Sequence, residues 1–413
     1  MVGTINNFGQ FLGIPLGGYL SDRYGRSTVM AWGSALSTVM GILRSFSPNY
    51  YIFVLLGFLD NLFGSAIFGI AFVLALEFVG PSIRVHACTL VPMFNSLGRV
   101  LLAYVVKSFH NWRVVERIFY IPALGFLSLS WVLPESVRWL LSREEEEKAI
   151  QILRKAAKIN KRKLSDASIE KLLQANRKNL LGIDSKAQKF SIGDAFRAFP
   201  WRIMNISLCW FTNVFTFLGL SLNLGLLGGN KYDNFMYLSF IEIPGIWLPA
   251  VTMNRYGRKA SQCGYLFLSG VSIMAMNFCA SASNDSLRLI LYLLGKMSIT
   301  ASFQVLYIFT SEIFPTNSRS TLGSFCSMIG RFGAMVAPQT PLLAKYYTSA
   351  PAILFACSAF LSGSLVLFLP ETNNTVLPTT LQDAQKIGQK EINVKPETDT
   401  ELEIQEKLLT SKA

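Results

Sequence analysis

Long apolar runs separated by short polar breaks fill the chain from residue 2 to 133 and again from 202 to 369. Eleven runs stand out, at about 2–20, 28–47, 51–76, 86–107, 114–133, 202–221, 234–253, 261–280, 287–310, 320–342 and 350–369. Each approaches the roughly 20 residues a helix needs to cross a hydrocarbon core of about 30 Å. None alternates with period two, and backbone in lipid must satisfy its own hydrogen bonds. The pattern therefore predicts an all-α integral membrane protein of eleven transmembrane helices and argues against a barrel.

The breaks repeat. "SDRYGRS" (21–27) returns as "NRYGRKA" (254–260), and "EFVGPSIR", with Glu77 and Arg84 flanking Pro81, returns as "EIFPTNSR", with Glu312 and Arg319 flanking Pro315. In both halves the second element lies two runs after the first. Two matches in the same order predict two pseudo-symmetric bundles related by an axis along the membrane normal. The predicted organisation is an amino-terminal bundle at 1–133, a loop at 134–201, a carboxy-terminal bundle at 202–369 and a polar tail at 370–413. Only one run precedes the first hairpin whereas two precede the second, so a complete first bundle is expected to have a further span upstream of Met1.

Composition agrees: 51% of residues are apolar and 15% charged, against about 25% charged in a soluble domain. With the hairpins placed in the cytoplasm, roughly 28 Lys and Arg lie inside and roughly 7 outside, the bias the positive-inside rule demands. That orientation leaves the amino terminus outside and the carboxy terminus in the cytoplasm. The net charge of +13 comes mainly from the inner loops, and no nucleic-acid motif accompanies it. Cys88, Cys209, Cys263, Cys279, Cys326 and Cys357 all fall within apolar runs and read as small buried hydrophobes, not as a disulfide framework. In the loop, "SREEEEKAIQILRKAAKI" reads as an amphipathic helix with Glu144 to Glu147 at its amino end and Arg154, Lys155 and Lys158 at the other. Its apolar stripe suits the membrane surface or a cap on the bundle, and a solvated charged face is the plainer alternative. The two histidines, His86 and His110, fall on opposite sides of the membrane, and no paired carboxylates, metal-ligand spacing, phosphate loop or cofactor motif appears. An enzyme is disfavoured. So is a seven-span receptor, the other reading of Asp22, Arg23 and Tyr24, because the hairpin is duplicated among eleven runs.

The two hairpins resemble the inner-loop signature of the major facilitator superfamily. Three further stretches, "WVLPESVRWLLSREEEEKAIQILRKAAKIN" (131–160), "TSEIFPTNSRSTLGSFCSMIGRFGAMVAP" (310–338) and "LPETNNTVLPTTLQDA" (369–384), resemble the organic cation, anion and zwitterion transporters of the solute carriers. The likeness covers nearly the whole chain. It implies a twelve-span fold with a large outer loop after the first span, plasma-membrane localisation and a small organic ion as substrate. On that pattern, the first span and loop are expected to lie upstream of Met1, and Val137 stands where the family usually has Pro.

Candidate residues follow from charge. Asp22, Arg23, Arg26, Arg255 and Arg258 sit where inner ends of spans meet, so ion pairs to Glu77 and Glu312, with Arg84 and Arg319, form a candidate inward gate; positive-inside anchoring is the alternative. Within spans stand Asp60, Arg99, Glu242, Lys296 and Arg331. Each costs about 2.5–3.5 kcal/mol at mid-bilayer unless it faces a cavity or a partner, which points to a polar cavity between the bundles or to structural ties. Arg99 is expected to reach outward or to pair with Asp60. The resemblance matches Glu242 in "IEIPG" to a glutamate typical of cation and carnitine carriers and Lys296 to a basic residue general to the family. Arg331 falls where cation carriers tend to have aspartate and anion and carnitine carriers have arginine. The mixture suits a zwitterion, or a cation held by Glu242 while Arg331 is neutralised. Trp210, Phe211 and Phe217 offer aromatic faces to a quaternary ammonium, or else plain apolar lining. Phe217 and Leu218 replace a tyrosine pair frequent in the family. Asn6, Asn7, Gln10 and Gln304 complete the polar lining. The expectation is a secondary transporter of organic cations or zwitterions working by alternating access. An organic anion carrier, or a truncated non-transporting protein that regulates a full-length partner, stands as the alternative.

Overall fold

The computed structural model describes residues 2–78, 84–128, 133–161, 169–170, 173–174, 196–224, 227, 229–278, 285–314 and 319–373. Every apolar run that the sequence marks is helical there. The first bundle comprises α1 (Val2–Tyr24), α2 (Arg26–Ser45), α3 (Tyr50–Gly64), α4 (Ile67–Phe78), α5 (Arg84–Ser108) and α6 (Trp112–Ala123). Two shorter helices, α7 (Val137–Ser142) and α8 (Glu146–Ile159), follow. The second bundle is α9 (Pro200–Leu222), α10 (Lys231–Tyr256), α11 (Arg258–Phe278), α12 (Asp285–Ile313), α13 (Arg319–Val336) and α14 (Ala350–Val366). The third run is split into α3 and α4 by a turn at Ser65 and Ala66. Among the described residues, five helical stretches are long and apolar enough to cross a membrane by length and composition: Tyr50–Ala75, Thr89–Ser108, Pro200–Leu222, Lys231–Tyr256 and Asp285–Ile313.

The second bundle is closed around a deep core in which Ile206, Leu266, Ile273, Tyr292, Phe309 and Phe355 are fully buried. In the first bundle Gly9, Gly13 and Gly17 of α1, one turn apart on one face, pack on α3 and on the turn that follows it. A Cβ at Gly13 would stand 2.1 Å from the Leu62 carbonyl oxygen, and one at Gly17 would stand 2.2 Å from Ala66 Cβ. Backbones this close leave no room for a side chain, so Gly13→Val should lower the thermal unfolding midpoint in detergent, with a loss of about 1–3 kcal/mol. The bundles meet along two seams, α5 against α10 and α1 against α13.

Both hairpins turn on a glycine in the left-handed region, Gly25 at φ 102° and Gly257 at φ 88°. Beyond each, a carboxylate caps the next helix. The Arg26 and Ser27 amides donate to Glu135 at 2.9 and 3.1 Å, and the Arg258 and Lys259 amides donate to Glu371 at 2.9 and 3.1 Å. A negative group at these amino termini satisfies orphan N–H groups and the helix dipole together. Glu135 and Glu371 belong to "LPES" and "LPET", a third repeated element whose role the hydropathy pattern does not reveal.

The loop helix forms as expected at Glu146–Ile159, and its Ala149 is buried against Leu140 and Leu141 of α7. α7 is fastened to the first hairpin: Trp139 Nε1 donates to the Asp22 carbonyl at 2.9 Å, and Arg143 donates to the same carbonyl at 3.0 Å. The apolar stripe of α8 thus packs on a cap over the bundle. Cys209, Cys263 and Cys326 are free and buried as expected, but Cys357 is exposed on the outside of α14. The Cys88 side chain, Cys279 and the tail from residue 374 lie outside the described residues.

Candidate functional site

The charged residues of the spans fall into three places. At the α5–α10 seam, Glu242 of α10 is 3% exposed and receives donors from both bundles. From α5, Arg99 Nη1 lies 2.9 Å from each carboxylate oxygen, and Ser96 Oγ donates to Oε2 at 3.0 Å. From α12, Lys296 Nζ approaches Oε1 at 3.2 Å. Lys296 also donates to the Phe217 carbonyl at 2.9 Å and to Ser221 Oγ at 2.8 Å, and its ammonium stands 3.3 Å from the centre of the Phe217 ring. The Arg99 guanidinium lies 5.1 Å from the same ring. Two cations thus converge on one carboxylate and one aromatic ring.

Arg99 therefore neither reaches outward nor pairs with Asp60. Asp60 instead sits inside the first bundle, 3.4 Å from Arg44, accepting from Ser37 Oγ at 2.5 Å and from Tyr120 Oη at 2.6 Å. Arg44 also binds Glu116 at 2.8 Å. Arg44 and Glu116 lie near run ends, where a charge reads as an interfacial anchor, so the sequence does not flag them.

Arg331 of α13 is partly buried and has no hydrogen bond or ion pair among the described residues. It lies within electrostatic reach of the Tyr307 hydroxyl. The Tyr307 ring leads back toward Glu242 through aromatic contacts: Tyr307 to Phe303 at 5.3 Å and Phe303 to Phe217 at 6.1 Å. On the other side it meets Phe72 of the first bundle at 6.5 Å. Trp210 backs this wall from within the core. It is 3% exposed, donates Nε1 to Thr310 at 3.1 Å and packs edge-on against Tyr307, so its faces are covered. Phe211 stacks on Phe215, and Leu218 is partly buried against the second core. Gln304 is partly buried and has no hydrogen-bond partner among the described residues. Asn7 and Gln10 are engaged elsewhere: Asn7 donates across the α1–α13 seam to the Ala334 carbonyl at 2.5 Å, and Gln10 donates to Asn61 at 3.0 Å. Asn6 stands beside Gly57, opposite α3.

The hairpin ion pairs form, with different arginines in part. Arg26 Nε lies 3.0 Å from Glu77 and Arg258 Nε lies 3.0 Å from Glu312. Arg23 and Arg255 lie over the rings of Tyr24 and Tyr256 next to them. Asp22 is largely exposed and stands 3.9 Å from Arg26. The side chains of Arg84 and Arg319 lie outside the described residues. The reason is local. The positive-φ glycine reverses the chain, so the arginine just after it opens the next helix and faces the bundle, while the one before it closes the previous helix at the surface. Both pairs stay within a single bundle. The ion pairs that join the bundles among the described residues are Arg99 to Glu242 and, at the opposite face from the hairpins, Lys107 to Asp233 at 2.6 Å.

Residues 1–338 match the Major Facilitator Superfamily. The chain is 34% identical over 387 residues to an organic cation transporter protein of Drosophila melanogaster, covering 92% of this chain and 70% of that protein. It is 33% identical over 393 residues to solute carrier family 22 member 3 of Rattus norvegicus, covering 94% and 70%. Organic anion transporter 3 of the same species is 30% identical over 408 residues, covering 97% and 75%. Among solved structures, the inward open conformation of the xylose transporter XylE from E. coli superposes with a TM-score of 0.73 at 19% identity, covering 94% of this chain and 88% of that one.

Proposed function

This chain belongs to the major facilitator superfamily and, within it, to solute carrier family 22, and from that premise we propose that it carries small organic ions bearing a carboxylate, zwitterions and anions ahead of simple cations. The observation that supports this reading is the charge balance between the bundles. Glu242 is matched by both Lys296 and Arg99, whereas Arg331 has no counter-charge among the described residues. A guanidinium in a low-dielectric gap attracts a carboxylate through charge-assisted hydrogen bonds and repels a lone cation. Tyr307, 38% exposed, and Phe303 offer apolar and aromatic surface beside it for the rest of the substrate.

On this reading all eleven helical runs are spans of a plasma-membrane protein, the hairpins and the carboxy terminus face the cytoplasm, and the two bundles rock about the Glu242 and Arg331 level. The pairs Arg26 to Glu77 and Arg258 to Glu312 hold each bundle's inner end in shape as it moves. The test is uptake of three labelled probes by cells expressing the chain: a trimethylammonium carboxylate, benzoate and tetraethylammonium. The carboxylate-bearing probes should lead, and Arg331→Asp should cut their uptake at least about tenfold, the scale of one lost charge-assisted contact. Tetraethylammonium leading in the unmutated chain, unchanged by Arg331→Asp, would return the protein to the plain cation class.

A further inference from the structure

Glu242, the Phe217 ring and Ser96 form a box with the chemistry of an organic-cation site: a buried carboxylate, an aromatic face and a hydroxyl within a few ångströms. Its two cations are held very differently. Lys296 is fully buried, and its three N–H groups are spent on Phe217 O, Ser221 Oγ and Glu242, all within the second bundle. It is a fixed part of the wall. Arg99 comes from the other bundle, its side chain is 33% exposed, and its contacts are the Glu242 carboxylate and the Phe217 face. It enters the box as a ligand would, by the guanidinium and from the other bundle.

We propose that Arg99 is a tethered competitor that fills the cation subsite at Glu242 and so determines the charge class of the substrate. The inference rests on the reading of the gap between the bundles as the substrate site, and it adds the reason why that site discriminates. With Arg99 in place, an incoming ammonium must displace a charge-assisted contact whose effective concentration is that of an intramolecular group. Without it, the side of Glu242 that faces α5 loses its cation and keeps only Ser96, while Lys296 still holds the other side. The carboxylate then stays oriented and the box is vacant for an external cation.

The test uses the full chain purified in detergent, with binding read from the shift of the thermal unfolding midpoint. Titrated with tetraethylammonium, Arg99→Leu and Arg99→Gln should bind about ten to a hundred times more tightly than the unmutated chain, the range expected when a charge-assisted competitor is removed. Arg99→Lys, which keeps the charge, should behave as the unmutated chain. Adding Glu242→Gln together with Lys296→Met, so that no lone charge is left buried, to Arg99→Gln should abolish the gain. The Gln variant keeps a polar, uncharged group on the side facing Glu242, so it remains informative if the Leu variant is unstable. Equal tetraethylammonium affinity in the unmutated chain and in Arg99→Gln would overturn the proposal, as would a gain that survives removal of Glu242. Carboxylate binding through Arg331 is scored separately with benzoate. A gain at Arg99 with no benzoate response in the unmutated chain would uphold the competitor and reject the carboxylate reading, and the reverse pattern would do the opposite.

Discussion

Glu242→Gln should be among the most damaging single substitutions in the molecule. It leaves Lys296, fully buried, with no counter-charge, and takes away the charge and one of the two acceptor oxygens that Arg99 and Ser96 share. Breaking a buried ion pair from one side costs about 3–5 kcal/mol, because the orphaned charge keeps its desolvation penalty. Arg99 is partly exposed and can swing into the gap, so most of the damage should fall on Lys296. The expected result is a large drop in the unfolding midpoint in detergent, with little protein at the cell surface. Glu242→Gln combined with Lys296→Met should recover most of the loss, since the uncompensated charge goes with the lysine. Strict additivity of the two single changes would show that Lys296 does not depend on Glu242.

Arg44→Met should be comparably severe, for the mirror-image reason. Arg44 is the cation shared by Asp60, 6% exposed, and Glu116, and its loss would leave two carboxylates close together in the first bundle. The expected cost is again about 3–5 kcal/mol, with like-charge repulsion adding to desolvation. Asp60 keeps hydrogen bonds from Ser37 and Tyr120, whereas Glu116 Oε2 is buried with no hydrogen-bond partner, so Glu116 should carry more of the penalty. Arg44→Met with Glu116→Gln should therefore regain more stability than Arg44→Met with Asp60→Asn, measured as unfolding midpoints of the purified variants. Equal recovery by the two would mean that the carboxylates are equivalent.

What the sequence disclosed followed from length and repetition. Helix positions and the two-bundle plan were legible because a run of about 20 apolar residues has one good solution in lipid, and because the hairpins and the Glu77 and Glu312 elements repeat in order. Rotation about the helix axis was not. Whether Arg99 meets Asp60 of its own bundle or Glu242, 143 residues away, depends on how α5 turns toward α10, and hydropathy carries little information on that angle. The choice of Arg26 over Arg23 for Glu77 turned on Gly25, whose backbone decides which arginine opens the next helix. Arg44 and Glu116 were hidden by position, near the ends of runs where charges normally meet water. Glu135 and Glu371 were visible as letters in "LPES" and "LPET", but a capping partner 108 or more residues from its helix has no local signature.

Those two carboxylates make each bundle a self-fastened jaw. Glu135 returns from beyond the last helix of the first bundle to its opening hairpin, and Glu371 does the same in the second. In the rocking proposed above, neither of these clasps has to unlock, and nor do the Arg26 and Arg258 pairs. The polar cost of switching then falls on the two seams, where Arg99 and Ser96 meet Glu242, Lys107 meets Asp233, Asn7 meets Ala334, and Thr4 meets Met335 and Gln339. At about 1 kcal/mol net for each contact, such seams favour one arrangement by several kcal/mol, the order of differential affinity with which an occupied site reverses the populations. A carrier built this way is held together by its jaws and poised at its seam, and its turnover should respond to seam substitutions far more than to equally buried changes inside either jaw.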